Sequence, residues 1–305
     1  MTDLLSATTE QGTELSPERM AVDLTVPGVR KHIAAQILAD IDAYCVKAYD
    51  DGHRKHLGAS LIGHDCARHL YYVFRWAKKE VFTGRMQRLF NRGHREEARF
   101  VEWLRGVGFE VWDVNEDGSQ FRVKAVRGHY GGSLDGINKP PARYRIGEPM
   151  LCEFKTSGTG ASFTKLKEQG VALAKPRHFA QMSTYGKFYG FRFALYLCIN
   201  KNDDDLHIEI VELDWRLAED LVRKAEDIIT AREPPPKLAE NEAFFECKYC
   251  PFVGICHRGE APERSCRSCQ HSEAVEGGEW YCHVHNGVIP SDFVTKTCDG
   301  YTAIA

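Results

Sequence analysis

Apolar residues in this chain recur at helical spacing in several long stretches and crowd into short runs in others. Between Gly28 and about Asp51 the stripe Ile33, Ile37, Leu38, Ile41, Tyr44, Cys45 and Ala48 predicts a helix with this face, Cys45 included, against the core. A second helix carries Leu70, Tyr71, Phe74 and Trp76, with Ser60 or Asp65 available as its cap. The clearest amphipathic helix spans Arg85 to Val107, where Met86, Leu89, Phe90, Gly93, Phe100, Val101 and Leu104 keep a three/four spacing. Another spans Trp215 to Ile229, with Leu221, Val222, Ala225, Ile228 and Ile229 inward. Short runs between glycine and aspartate turns read as strands: Phe109 to Trp112, Gln120 to Val126, His129 to Ile137, and the run from Met150. Phe193 to Asn200 and Leu206 to Leu213 pair around a turn at Asp203 to Asp205. A helix followed by strands, then helices and strands again, predicts an α/β core built on one mixed sheet.

Two charges break the apolar pattern where it is strongest. In M-L-C-E-F-K-T-S, Glu153 and Lys155 sit two apart in a buried-looking strand and share a face. Burying them costs several kcal/mol unless they are paired or hold a metal. Asp135, in the preceding Y-G-G-S-L-D-G-I run, can add a second carboxylate from a neighbouring strand. Two hard oxygen ligands and a cation are the set needed to hold Mg²⁺ and steady a phosphate. Glu97 falls on the inward stripe of the amphipathic helix and adds a third acid; His94, one turn earlier, competes for the same role.

After this strand, Ser157 to Gly160 form a glycine-containing turn followed by a basic helix with Lys165 and Lys167. Such a turn suits either close approach of a phosphate backbone or a plain connection. In P-R-H-F-A-Q-M-S-T-Y, Gln181 and Tyr185 are four apart on one helix face, where an amide and a phenol can contact phosphate or base edges.

Composition sets bounds on the rest. The chain has 305 residues, 43% hydrophobic and 27% charged, with a net charge of −3, so any nucleic-acid contact must come from local patches. No apolar run approaches the roughly 20 residues of a bilayer span. The polar N-terminal stretch through Pro27 reads as a mobile tail with no secretion signal, so a cytoplasmic location is expected.

Eleven cysteines without such a signal point to metal or cluster ligation rather than disulfides. After the stiff linker Glu233 to Pro236 come Cys247, Cys250 and Cys256, spaced C-x2-C-x5-C and short of a fourth ligand. Cys66 stands at a helix start, where amide dipoles favour a thiolate. A second set, Cys266, Cys269, Cys282 and Cys298, lies in a glycine-rich segment too short to bury its own core, and four-cysteine zinc ligation is expected. His271, His283 or His285 could replace one of those cysteines. Cys152 and Cys198 read as core residues.

Asp135 followed by E-F-K, with G-H-R-E-E before it and Q-x-x-x-Y after it, resembles the motif series of the PD-(D/E)XK nuclease superfamily, and within it the RecB-like branch, including AddB-type and CRISPR-associated exonucleases. The likeness covers roughly residues 60–258. It implies a restriction-endonuclease-like α/β core over residues 28–236, a cluster segment over 237–260 and a small zinc-binding-like module over 261–305. It implies Mg²⁺ or Mn²⁺ at Asp135, Glu153 and the Phe154 carbonyl, with Glu97 completing the site, Lys155 catalytic, and Gln181 and Tyr185 on DNA. One early cysteine and three late ones resemble the 4Fe–4S form of these nucleases, which maps the cluster onto Cys66, Cys247, Cys250 and Cys256; zinc there is the other option. The implied activity is exonucleolytic cleavage of DNA in recombination, repair or viral DNA processing. No G-x-x-x-x-G-K-[ST] motif is present, so unwinding would fall to a partner helicase or recombination protein. A restriction-type endonuclease and a non-catalytic DNA-binding scaffold are the alternatives.

Overall fold

The computed structural model describes residues 23–158 and 160–304. The expected N-terminal tail, as far as residue 22, and Thr159 in the glycine-containing turn lie outside the described residues. In chain order the main elements are α1 (Pro27–Ala48), β1 (Leu57–Gly58), α2 (Ala67–Phe74), α3 (Gly84–Gly106), β2 (Glu110–Trp112), β3 (Arg122–Ala125), β4 (Tyr130–Ser133), β5 (Gly136–Lys139) and β6 (Met150–Ser157). Then follow α4 (Gly160–Ala174), α5 (Pro176–Tyr189), β7 (Phe193–Asn200), β8 (Leu206–Glu212), α6 (Trp215–Thr230), α7 (Phe245–Lys248), α8 (Val253–Arg258), β9 (Ser272–Ala274), β10 (Trp280–Cys282) and β11 (Gly287–Val288).

The fold is α/β, with a five-stranded mixed sheet ordered β2-β5-β6-β7-β8 between two helical layers. Within this sheet only the β6–β7 pair is parallel; a parallel neighbour needs a crossover, and α4 and α5 supply it. On one face Phe100, Val101 and Leu104 of α3 meet Met150, Cys152 and Phe154 of β6 and Leu195, Leu197 and Ile199 of β7. The opposite face buries Leu151, Tyr196 and Cys198 under α4, α5 and α6. Strand alternation therefore turns Cys152 and Phe154 one way and Glu153 and Lys155 the other.

Several expectations change in detail. Of the α1 stripe only Cys45 is buried; Ile37, Leu38, Ile41 and Tyr44 are exposed, because α1 packs along α3 rather than on the sheet. An Arg88–Asp42 ion pair joins the two helices. In α3, Met86, Leu89 and Phe90 are exposed for a related reason: only the second half of that helix reaches the sheet. Neither Ser60 nor Asp65 caps α2. The cap is Cys66, whose sulfur accepts from the His69 amide at 3.3 Å. Trp76 lies past the helix end in a left-handed conformation, φ 52°.

The expected single strand from His129 to Ile137 is two strands in two sheets. β4 joins a small sheet ordered β1-β4-β3, and β5 joins the main one. The break falls at Leu134 and Asp135, where Gly136 takes φ 156° and turns the chain across. Register then sets Gly136 opposite Cys152, and Asp135 stands just past the end of that pairing, beside Glu153.

The C-terminal segment packs into the same core as α2. Trp280, Ile289, Val294 and Ile304 belong to the cluster that contains Tyr71 and Phe74. Two buried guanidiniums bind it there. Arg75 of α2 donates to the Arg267 carbonyl at 2.6 Å and the Cys269 carbonyl at 2.5 Å. Arg267 donates to the Lys55 carbonyl at 2.9 Å and to the Phe74 carbonyl. Among the described residues no helix is long and apolar enough to cross a membrane.

Candidate active site

Lys155 is the centre of the site. Its ammonium lies 3.9 Å from Asp135 Oδ2, donates to the Phe154 carbonyl at 3.2 Å, and contacts Glu153 Oε1 directly. The three oxygen groups expected to hold a metal thus surround a single positive charge. Asp135 is fixed in turn: its Oδ2 accepts from the Phe154 amide at 2.6 Å. A carboxylate at a strand break satisfies an amide of the neighbouring strand and still faces the cation.

Glu153 is 0% exposed, and Gln181 Nε2 donates to its Oε2 at 3.4 Å. Its Oε1 is in contact with the Lys155 ammonium and has no other partner among the described residues. A buried carboxylate oxygen is costly, and a cation relieves that cost. Burial raises the Glu153 carboxyl more than Lys155 lowers it, and the Asp135 charge adds to the rise, to about 7. Burial acts to lower Lys155, but Glu153 and Asp135 outweigh it and hold the ammonium above its ordinary value.

Glu97 borders the group from α3. Its carboxyl is raised by burial and by the Asp135 charge, and His94 Nδ1 lies 3.3 Å from its Oε1. Both residues weighed for this turn are therefore at the site, as a pair. The acid with the least exposure on α3 is instead Glu96, which Arg99 holds at 2.6 Å and Arg92 at 3.7 Å.

Gln181 and Tyr185 share a face of α5 as expected, but both are buried. Gln181 spends its amide on Glu153. The Tyr185 hydroxyl occupies the space where a side chain on Gly132 would lie, which accounts for one glycine of G-G-S-L-D-G. Sequence reading missed His178, one turn before Gln181, whose Nδ1 pairs with the Tyr196 hydroxyl at 3.0 Å. Tyr196 stands directly beside Glu153 in the β6–β7 register. Burial drives the His178 ring down to about 3, so it is neutral. Extending the Gln181–Tyr185 face by one turn would have found it.

Both cysteine sets converge. Cys66, Cys247, Cys250 and Cys256 line one cavity together with His64 and His69. His69 Nδ1 lies 3.4 Å from Cys250 Sγ, and its ring stacks on His64 at 4.2 Å. Tyr72, Glu246 and His257 line the same cavity and each carries a buried polar atom without a partner. Cys266, Cys269, Cys282 and Cys298 line a separate cavity with His271 and His285; His285 Nε2 lies 3.5 Å from Cys298 Sγ. His283 pairs with Glu273 instead. None of the eleven cysteines is in a disulfide. Among the described residues no three His, Cys, Asp or Glu side chains are set to hold one metal ion as they stand. The sets are donors gathered around open space, not closed coordination shells. Around Lys155 the reason is plain: the ammonium already takes the cation position.

No known protein family matches this sequence, and no curated protein matches it. Among solved structures, SSO0001 is 16% identical, over 73% of this chain and 97% of that one, with a TM-score of 0.42. The alkaline exonuclease LHK-Exo from Laribacter hongkongensis is 15% identical, over 60% of this chain and 90% of that one, also at 0.42. LHK-Exo in complex with dAMP matches at 16% identity with the same coverage and score.

The convergence of two carboxylates on Lys155 yields a prediction about metal. Protein stripped with EDTA gains thermal stability when Mn²⁺ is added, by about 2.7 kcal/mol when the ion reaches a hundredfold excess over its Kd. Glu153→Gln loses that gain. A wild-type melting curve indifferent to millimolar Mn²⁺ contradicts a cation site here.

Proposed function

We propose that this protein is a divalent-metal-dependent deoxyribonuclease of the RecB-like kind, acting as an exonuclease on DNA ends or single strands. One observation carries the proposal: Asp135, Glu153 and the Phe154 carbonyl converge on the half-buried Lys155 ammonium, with Glu97 at the edge. A Mg²⁺ or Mn²⁺ ion held by these groups supplies Lewis-acid charge to the scissile phosphate and makes water more acidic.

The chain's own residues do the rest. Phe154 fixes Asp135 through its amide, and Gln181 fixes Glu153 through its side chain. Lys155, beside both carboxylates, acts as a donor. It orients the attacking water and gives a hydrogen bond to the phosphate as charge grows there. His94 positions Glu97. Gln181 positions Glu153 for the DNA strand through its amide, and Tyr185, on the same buried helix face, packs against Gly132, three residues before Asp135.

The two cysteine cavities support structural roles. We assign a 4Fe–4S cluster to Cys66, Cys247, Cys250 and Cys256, joining the start of α2 to the segment after the proline linker. Zinc is assigned to Cys266, Cys269, Cys282 and Cys298. DNA is the partner of the site. Any unwinding protein would act beside it in recombination, repair or viral DNA processing.

Two experiments test this. Wild type degrades end-labelled linear DNA with Mg²⁺ or Mn²⁺ and not with EDTA, and spares closed circles. Lys155→Ala lowers that rate by at least about 10²-fold, as loss of a transition-state donor does, with an unchanged circular dichroism spectrum. Discrete fragments would instead indicate a restriction-type endonuclease, and absence of metal-dependent cleavage a DNA-binding scaffold. Separately, anaerobically purified protein is brown, absorbs near ~400 nm, and loses that band in Cys250→Ser; a colourless protein carrying zinc alone contradicts the cluster.

A further inference from the structure

A second cavity opens beside the site. It is about 560 Å³, within the range of about 300–1,000 Å³ typical of ligand sites, and runs between the end of α1, the end of α2 and the first half of α3. His94 lies on its wall and also pairs with Glu97 at 3.3 Å, so the cavity adjoins the carboxylate group.

Its walls are flat and aromatic. Arg267, Trp76 and His53 form a three-layer stack: the guanidinium lies 4.2 Å from the Trp76 ring, and the Trp76 ring 4.7 Å from His53 at 19°. His53 and Trp76 line the cavity. Phe82 and Phe90, packed edge to face at 5.0 Å, line the same cavity, with Phe90 41% exposed. The stack is held at a conformational cost. Trp76 adopts a left-handed backbone, φ 52°, which L-residues rarely take. Its indole donates to the Arg54 carbonyl at 2.9 Å and so fixes the loop that bears His53.

The charges around the cavity nearly cancel. Asp50 pairs with Lys79 at 2.5 Å, and Asp51 and Glu80 offset Arg54 and Lys78. Such a lining does not favour a run of phosphates. It favours planar, neutral groups, and base–aromatic stacking is tolerant of sequence because every base has a π face.

We propose that this cleft receives unpaired bases of a single DNA strand, stacked on His53 and Phe90, while the adjoining phosphate lies at the carboxylate group. The proposal rests on the nuclease assignment for its strand path, but the binding itself is separable from cleavage.

The test uses the full-length protein in EDTA, with an oligo-dT carrying one 2-aminopurine and a blunt duplex of equal length. Wild type binds the single strand and quenches the 2-aminopurine emission. His53→Ala and Phe90→Leu each weaken single-strand binding about tenfold and restore the emission, leaving duplex binding and the melting temperature unchanged. Phe90→Trp restores binding and quenching. No binding or no quenching by wild type, or equal affinity in His53→Ala and Phe90→Leu, overturns the cleft assignment. Binding and quenching in a protein that never cleaves with metal would remove the nuclease and leave the cleft.

Discussion

One ammonium among three oxygen groups is the constraint on which the site depends. Lys155 is drawn in by Glu153, Asp135 and the Phe154 carbonyl, two of them from its own strand β6 and one from the break before β5. Glu153 comes from the alternation of β6, Asp135 from the break between β4 and β5, and the carbonyl from the strand between the two charges. A buried Glu–Lys pair is rarely stabilising against an apolar pair of like size. Stability alone therefore does not account for Glu153 and Lys155 in the middle of an apolar strand.

The supporting shell explains residue choices that otherwise have no reason. Gly132 leaves room for the Tyr185 hydroxyl, and Gly136 permits the turn that delivers Asp135. Gln181 reaches the far oxygen of Glu153. Arg75 and Arg267 do similar work without any carboxylate partner: they tie backbone carbonyls of the cysteine-rich segment to α2, and Arg267 stacks on Trp76. The C-terminal segment thereby supports the wall of the aromatic cleft as well as its own cysteine cavity.

Much of this was legible in the sequence, and the gaps have physical causes. The two-residue period of a strand predicted the shared face of Glu153 and Lys155, and helical spacing predicted that of Gln181 and Tyr185. Cysteine spacing grouped both quartets, although the partnership of Cys66 with the later three rested on resemblance. Periodicity cannot distinguish a helix lying on a sheet from one lying along another helix, so the exposed stripe of α1 was misjudged. Nor does it reveal a change of sheet: a single glycine at φ 156° splits what reads as one strand. Glu96 and Glu97 differ by one position, and only packing decides which meets Arg99 and which meets the site. Buried arginines such as Arg267 read as surface charges until the aromatic rings around them are placed.

The most direct measurement is a crystal structure of the protein soaked in Mn²⁺, with anomalous data collected at the manganese edge. A single strong peak is expected among the Asp135 and Glu153 carboxylates and the Phe154 carbonyl, with the Lys155 ammonium displaced toward the space where a phosphate would lie. An empty anomalous map at that point, with Lys155 still in contact with Glu153, would contradict the assignment of these oxygens as a metal site.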